Sequence, residues 1–226
     1  MLQRTQKDFY VLEKLSKIDG LLHGFSTIDF GNMSYNHGQK KEVLRNRRRF
    51  SQAVGVDPKT LVSVNQVHGK KILIVKGRAG LDQREEVDAD GLITKRKKIG
   101  LLIKMADCLS LLLFNPKKET IGLIHAGWKG VSLKIHLEAI EKMKQNFGCQ
   151  PANIWVGIGP AICAQCYDKI DLVGQVMSDF QKAGLKKEKI EGAGVCTFEN
   201  QDFYSHQRSK MKGGPKGRFA TLLSWS

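Results

Sequence analysis

Two apolar runs, Leu109 to Phe114 and Thr120 to Ile124, flank Asn115-Pro116-Lys117-Lys118 and leave this stretch few ways to fold. Runs of this length on either side of a polar, proline-containing tetrapeptide predict two antiparallel strands joined by a tight turn. Cys108 stands just before the first strand and His125 just after the second. With an even-numbered turn centred between Pro116 and Lys117, Asn115 pairs with Lys118 and Cys108 then faces His125. Directly opposed residues hold their Cβ atoms roughly 4.5–5.5 Å apart, near enough for a thiolate and an imidazole to share one Zn²⁺ at about 2.3 and 2.0 Å. A turn of odd length moves the register by one and separates them.

The rest of the chain reads as α/β. Residues 9 to 28 mix short apolar runs with Gly20 and Gly24, as opening strands with a turn do, and the spacing of Val43, Phe50 and Val54 predicts a helix over Glu42–Val54. Strands are expected at Leu61–Val64, Ile72–Val75, Gly91–Thr94, Ile99–Ile103, Ile154–Ile158 and Phe219–Trp225, and helices at Val131–Phe147, Asp171–Lys182 and Asn200–Met211. Gly77 to Glu86 reads as a charged loop. Without an internal repeat, a linker or a low-complexity tail, residues 1–226 are expected to form one domain.

Charge narrows the partners. With 37 Lys and Arg against 22 Asp and Glu, the net charge of +15 favours anions, whether nucleic acid, phosphate or acidic surfaces. The basic runs Lys95–Lys98 and Lys186–Lys189 contain no aromatic residue for base stacking, so no specific nucleic-acid partner is expected. Five cysteines, an odd number, argue against a disulfide framework and for reduced thiols. The amino-terminal stretch lacks the apolar core of a signal peptide, and Lys104 and Asp107 interrupt the longest apolar run; a cytoplasmic protein, off the membrane and monomeric or weakly dimeric, is the expectation.

His68, Cys108 and His125 are too far apart for a local zinc motif and act together only if the fold assembles them. Two His and one Cys then leave a fourth position open on Zn²⁺, as in catalytic sites. The competing reading is a packed histidine and a buried small hydrophobe at Cys108. Cys163-Ala164-Gln165-Cys166 has no second cysteine pair to complete four ligands and reads as structural.

Asn65-Gln66-Val67-His68-Gly69, Ala106-Asp107-Cys108, His125-Ala126-Gly127-Trp128-Lys129-Gly130 and Gly159-Pro160-Ala161-Ile162 through Cys166-Tyr167, in this order, resemble the YfiH family, also called the polyphenol oxidase or laccase-domain family. Ser34-Tyr35-Asn36-His37-Gly38, Asn46-Arg47, Asp90-Gly91-Leu92-Ile93-Thr94, Cys196-Thr197 and Phe203-Tyr204-Ser205-His206 extend the likeness nearly end to end. The resemblance implies a layered α/β/β/α fold with mixed sheets and a mononuclear zinc site of His68, Cys108 and His125. It also implies phosphorolysis of adenosine, inosine and S-methyl-5'-thioadenosine to a free purine and a sugar 1-phosphate, with adenosine deamination.

A copper-dependent, laccase-like polyphenol oxidase is the alternative, since a His and thiolate site also takes copper. A Cys-His hydrolase of cell-wall precursors with Cys108 as nucleophile is another. On the nucleoside reading, Arg47 and Arg208 are candidates for phosphate, against a plain surface role. Asp107 either orients a ligand or caps a turn, and Asn36 and Asn65 either read polar substrate edges or simply serve their loops. The chain departs from the family pattern at Gln207-Arg208, where two arginines are usual, at Asp168 for a usual Glu, and at Cys163 for a usual Gly.

Overall fold

The computed structural model describes residues 1–77 and 87–226. The charged loop expected up to Glu86 lies, from residue 78 onward, outside the described residues. Two mixed sheets form the body. Numbered in chain order, one sheet runs β1 (Leu2–Arg4), β2 (Tyr10–Leu12), β3 (Leu21–Phe25), β12 (Phe219–Trp225), β7 (Gly100–Met105) and β4 (Leu61–Val62). The other runs β11 (Ile190–Gly192), β10 (Trp155–Ile158), β8 (Leu109–Asn115), β9 (Thr120–Ala126), β6 (Gly91–Thr94) and β5 (Ile72–Ile74). Most neighbours are antiparallel; β4 with β7, β5 with β6 and β10 with β11 are parallel.

Burial accounts for the layering. One core, with Leu12, Phe25, Leu101, Ile103, Leu112, Phe114 and Leu123, fills the space between the sheets. A second lies under the helices α3 (Trp128–Ser132), α4 (Ile135–Phe147) and α5 (Leu172–Lys182), and a third under α2 (Lys40–Val54). The result is the α/β/β/α order implied by the family resemblance. Every residue of β8 and β9 is buried, because one face of the hairpin meets the opposite sheet and the other meets helices. Two-sided burial is why these strands are nearly continuous apolar runs rather than alternating ones.

Beyond shifts of one or two residues at the ends of several elements, three differences from the sequence reading stand out. The helix expected over 131–147 is two helices, because Lys134 takes a left-handed conformation (φ 59°) that no α-helix continues through. The helix expected from Asn200 begins only at His206 (α6, His206–Lys212), where Ser205 caps it by accepting the N–H of Arg208 at 3.0 Å. The opening segment holds, besides β2 and β3, the short helix α1 (Glu13–Ser16).

Candidate metal centre and its cavity

The hairpin places two of the candidate ligands, in a register other than the expected one. Asn115 pairs with Thr120 and Ser110 with His125, so Pro116–Glu119 form a four-residue loop and the direct opposition of Cys108 and His125 does not occur. Proline suits the first corner of a type I turn, whose twist opposes a two-residue hairpin; Glu119, at φ 48°, completes the reversal instead. Four is still an even number, so the slip is two residues and both side chains keep the same face. Cys108 lies diagonally across the ladder from His125.

His68 arrives from the loop between β4 and β5 with φ 59°. A fully buried carboxylate, Asp90, holds that loop by accepting the N–H groups of Val67 (3.3 Å), His68 (2.9 Å) and Gly69 (2.7 Å). Asp90 Oδ1 also accepts Nδ1–H of His125 at 2.8 Å. Gln66 ties the same loop to β7 through a reciprocal pair of 2.8 Å hydrogen bonds with the main chain of Lys104. One ligand atom from each of His68, Cys108 and His125 lies within 4.8 Å of the others. Cys108 Sγ is 3.9 Å from His68 Nε2, and the two imidazole rings meet edge to face at 4.8 Å.

The electrostatics suit a cation. Burial opposes ionisation of the Cys108 thiol, but His125 and then His68 outweigh it and hold its pKa below the ordinary value. Burial likewise opposes the His125 imidazolium, yet the Cys108 thiolate and the Asp90 hydrogen bond raise its pKa. With Nδ1 committed to Asp90, Nε2 is the nitrogen left to coordinate, and a carboxylate behind a ligating imidazole fixes its tautomer. Gly127 keeps the space clear: a Cβ there would lie 2.9 Å from Cys108 Sγ and 3.0 Å from His68 Cδ2. The donor set and its surroundings therefore fit a transition-metal ion with an open coordination position.

The trio lines a cavity of about 450 Å³, within the range of small-ligand sites. Asn36, Asn65 and Asp107 line it too. Asn65 gives Nδ2 to Asp88 at 2.7 Å. Asp107, buried at φ 86°, accepts Thr197 Oγ1–H and Gln207 N–H, each at 2.7 Å, and its carbonyl takes the N–H of Ile162 at 2.9 Å. It thus joins three segments beside Cys108.

Arg47 and Arg208 are not among the lining residues. Arg47 gives Nε and Nη2 to Met33 O and stacks its guanidinium 4.5 Å from the Tyr35 ring centroid. Arg208 makes four hydrogen bonds to the carbonyls of Thr197, Phe198, Asn200 and Phe203. Both guanidiniums are thereby engaged with main chain.

The cationic lining comes from residues the sequence reading passed over. Lys104, Arg218, His37 and His206 all face the cavity. Burial, then Arg218, His206 and Lys216, lower the pKa of His37. Trp128, half exposed, and Tyr167 add ring surfaces. Trp128 stood in a quoted motif and Arg218 ended a basic run, but neither motif nor run says which side chain meets a cavity. Asp90 carried a fainter signal, a carboxylate at the head of an otherwise apolar strand.

A two-sheet α/β/β/α protein with two imidazoles and a thiol gathered in a cavity defines a class of candidate metalloprotein. A family described as multi-copper polyphenol oxidoreductase laccase matches residues 22–169 and 168–226, and the chain belongs to this laccase-like YfiH family. The purine nucleoside phosphorylase of Deinococcus radiodurans is 30% identical over 219 residues, covering 85% of this chain and 81% of the relative. Purine nucleoside phosphorylase YlmD of Bacillus subtilis is 28% identical over 212 residues, covering 79% and 76%. In the fold, the crystal structure of Bacillus licheniformis hypothetical protein YfiH superposes with a TM-score of 0.90 at 24% identity, covering 100% and 99%. YlmD from Geobacillus stearothermophilus gives 0.89 at 24%, covering 99% and 98%. No helix among the described residues is long and apolar enough to cross a membrane.

Proposed function

We propose that this chain is a zinc-dependent purine nucleoside enzyme, cleaving adenosine, inosine and S-methyl-5'-thioadenosine with phosphate and deaminating adenosine in the same cavity. The observation that carries the reading is the presence in one cavity of a His, His, Cys donor set and, apart from it, the guanidinium of Arg218 beside the imidazoles of His37 and His206. The names of the relatives support it.

In phosphorolysis a phosphate oxygen bonds to C1' of the ribose as the bond from C1' to the purine nitrogen breaks, so the protein needs an anion site beside the sugar. Arg218, which gives one guanidinium hydrogen bond to Gly217 O at 2.7 Å, is better suited to this than Arg47 or Arg208. A guanidinium pairs with phosphate through parallel hydrogen bonds, and an anion beside Arg218 would offset the positive field that, after burial, lowers the pKa of His37. Trp128 and Tyr167 offer ring faces to a purine, and Asn36 and Asn65 offer polar edges. Asp107 holds the wall next to Cys108. His68, Cys108 and His125 would hold the zinc ion, which when bound supplies Lewis acidity at neutral pH.

The family description favours a second reading, a copper oxidase of phenols. Multi-copper chemistry needs several imidazoles clustered around each ion, whereas of the four histidines lining this cavity only His68 and His125 belong to a donor cluster, and His23 is bonded to Leu12 and His136 to Asp179, away from the lining. The deciding experiment incubates zinc-loaded and copper-loaded protein with inosine, with and without phosphate, and separately with a phenol. Phosphate-dependent release of hypoxanthine and ribose 1-phosphate is the expected result. Phenol oxidation without base release would replace the proposal. Arg218→Gln should raise KM for phosphate about tenfold or more, the scale of one charge-assisted hydrogen bond.

A further inference from the structure

Away from the trio, a second set of sulfur atoms converges. Cys163 and Cys166 lie on the segment after β10, where Ala164–Cys166 make one 3₁₀ turn, and Cys196 lies on the segment after β11. Main-chain hydrogen bonds lay the two segments side by side, from Ala161 N–H to Val195 O (3.2 Å) and from Thr197 N–H to Ala161 O (3.0 Å). The Cys163 N–H points at Cys196 Sγ, 3.3 Å away. All three Sγ atoms lie within 4.8 Å of one another, and Cys166 Sγ is 3.7 Å from Glu199 Oε1. The fold brings a third cysteine to the pair that stood alone in the sequence.

Three sulfurs make a donor set for a soft or borderline d¹⁰ cation, and the exposed Glu199 side chain, which touches Cys166 but does not lie within 4.8 Å of all three sulfurs, has to turn toward them to supply a carboxylate oxygen. Tetrahedral coordination at about 2.3 Å places sulfurs roughly 3.8 Å apart, so the thiols need to contract by about 1 Å at most. Access is open, since the three cysteines are only half-buried and Glu199 is exposed; Cys149, by contrast, is sealed in the helix-covered core. We infer that Cys163, Cys166 and Cys196 bind a second metal ion, a thiophilic divalent cation of the Zn²⁺ type, with Glu199 as fourth ligand.

The position gives the ion a role. Ile162, next to Cys163, donates to Asp107 O, and Thr197, next to Cys196, donates to Asp107 Oδ1. Closing the thiols around an ion therefore staples together the two segments that hold Asp107 beside Cys108. The second site is a positioning element for the cavity wall.

The test is metal stoichiometry on the full chain, purified under reductant, loaded with Zn²⁺ and dialysed against metal-free buffer. Wild type should retain two equivalents, Cys108→Ala one, and the double variant Cys163→Ser/Cys166→Ser one. A trio that binds nothing shows instead as one equivalent in wild type that persists in Cys108→Ala, which separates failure of the first site from failure of this one. With Co²⁺, the near-ultraviolet thiolate charge-transfer band of Cys108→Ala should be roughly three times that of the double variant, in proportion to thiolate count. Glu199→Gln, at an exposed position, should fold normally and bind Zn²⁺ about tenfold or more weakly in the Cys108→Ala background. Cys108→Ala protein that is folded by circular dichroism yet holds no Zn²⁺ would overturn the inference. So would a disulfide between any two of the three cysteines in protein alkylated without reductant, or an unchanged affinity in Glu199→Gln.

Discussion

His125 and His136 each give a ring nitrogen to a carboxylate at 2.8 Å, the first to Asp90 and the second to Asp179, yet only the first belongs to the cavity. Both rings are buried. Their proton affinities move in opposite directions: burial lowers the pKa of His136 in spite of Asp179, whereas that of His125 is raised. The added influence on His125 is the Cys108 thiolate. His136 packs edge to face on Phe180, its Nδ1 has no hydrogen-bond partner among the described residues, and its carboxylate is shared with Lys134 at 2.8 Å. A carboxylate behind an imidazole orients it in either place. What stands at the other nitrogen decides whether the pair is packing or chemistry.

The sharpest way to break this contrast is to remove the thiolate. Cys108→Ala should lose the zinc held by the trio and lower base release by about 10³-fold or more, read by metal analysis and chromatography of the products. Undiminished turnover in this variant would strip the cavity of its chemical distinction. A Cys-His hydrolase would also lose activity in Cys108→Ala but keep it in metal-stripped wild type, so chelation separates the two.

His23 supplies the carboxylate-free case. Burial brings its pKa down to about 4, and Nε2 of the neutral ring accepts the Leu12 N–H at 2.8 Å. A depressed histidine pKa stabilises the fold fully above pH 6.5, and the stability is lost as the pH falls from there toward 4. About 3 kcal/mol should disappear over that window, as measured by urea unfolding, and His23→Gln should flatten the slope. A slope unchanged by the substitution would place the acid sensitivity elsewhere.

Substituting the two carboxylates compares the pairs directly. Asp90→Asn should weaken zinc binding at the trio by about 10- to 100-fold, because the histidine loses its fixed tautomer. Asp179→Asn should leave zinc affinity and base release as they are and cost about 1–2 kcal/mol of stability in thermal unfolding. Equal effects on zinc from the two variants would dissolve the distinction.

The layers were legible because apolar runs and their periods report burial: β6 and β12 fall where expected residue for residue, and β8 and β9 extend by one or two residues. The helix break at Lys134 was not legible, since nothing in the sequence forbids a lysine there from continuing the helix. The hairpin register was missed by two, because Pro116 could be assigned to a turn without revealing that Glu119 would join the loop. At the site, motif residues drew attention to the trio and to Asp107; Asp90 and Cys196 also stood in quoted segments, but their partners, like the placement of Arg218, emerge only through contacts across the fold. Arg47 and Arg208 teach the converse. An arginine in a motif can be there to satisfy carbonyls.

Gly127 takes φ −77° and ψ 178°, angles that alanine adopts without strain. An alanine there would cost the backbone nothing and would still drive a methyl group into both Cys108 and His68. The smallest chemical change available at this position thus leaves the main chain alone and crowds two of the three candidate ligands. Gly127→Ala is expected to fold as wild type does and to hold Zn²⁺ less tightly at the trio, read by thermal unfolding beside metal titration.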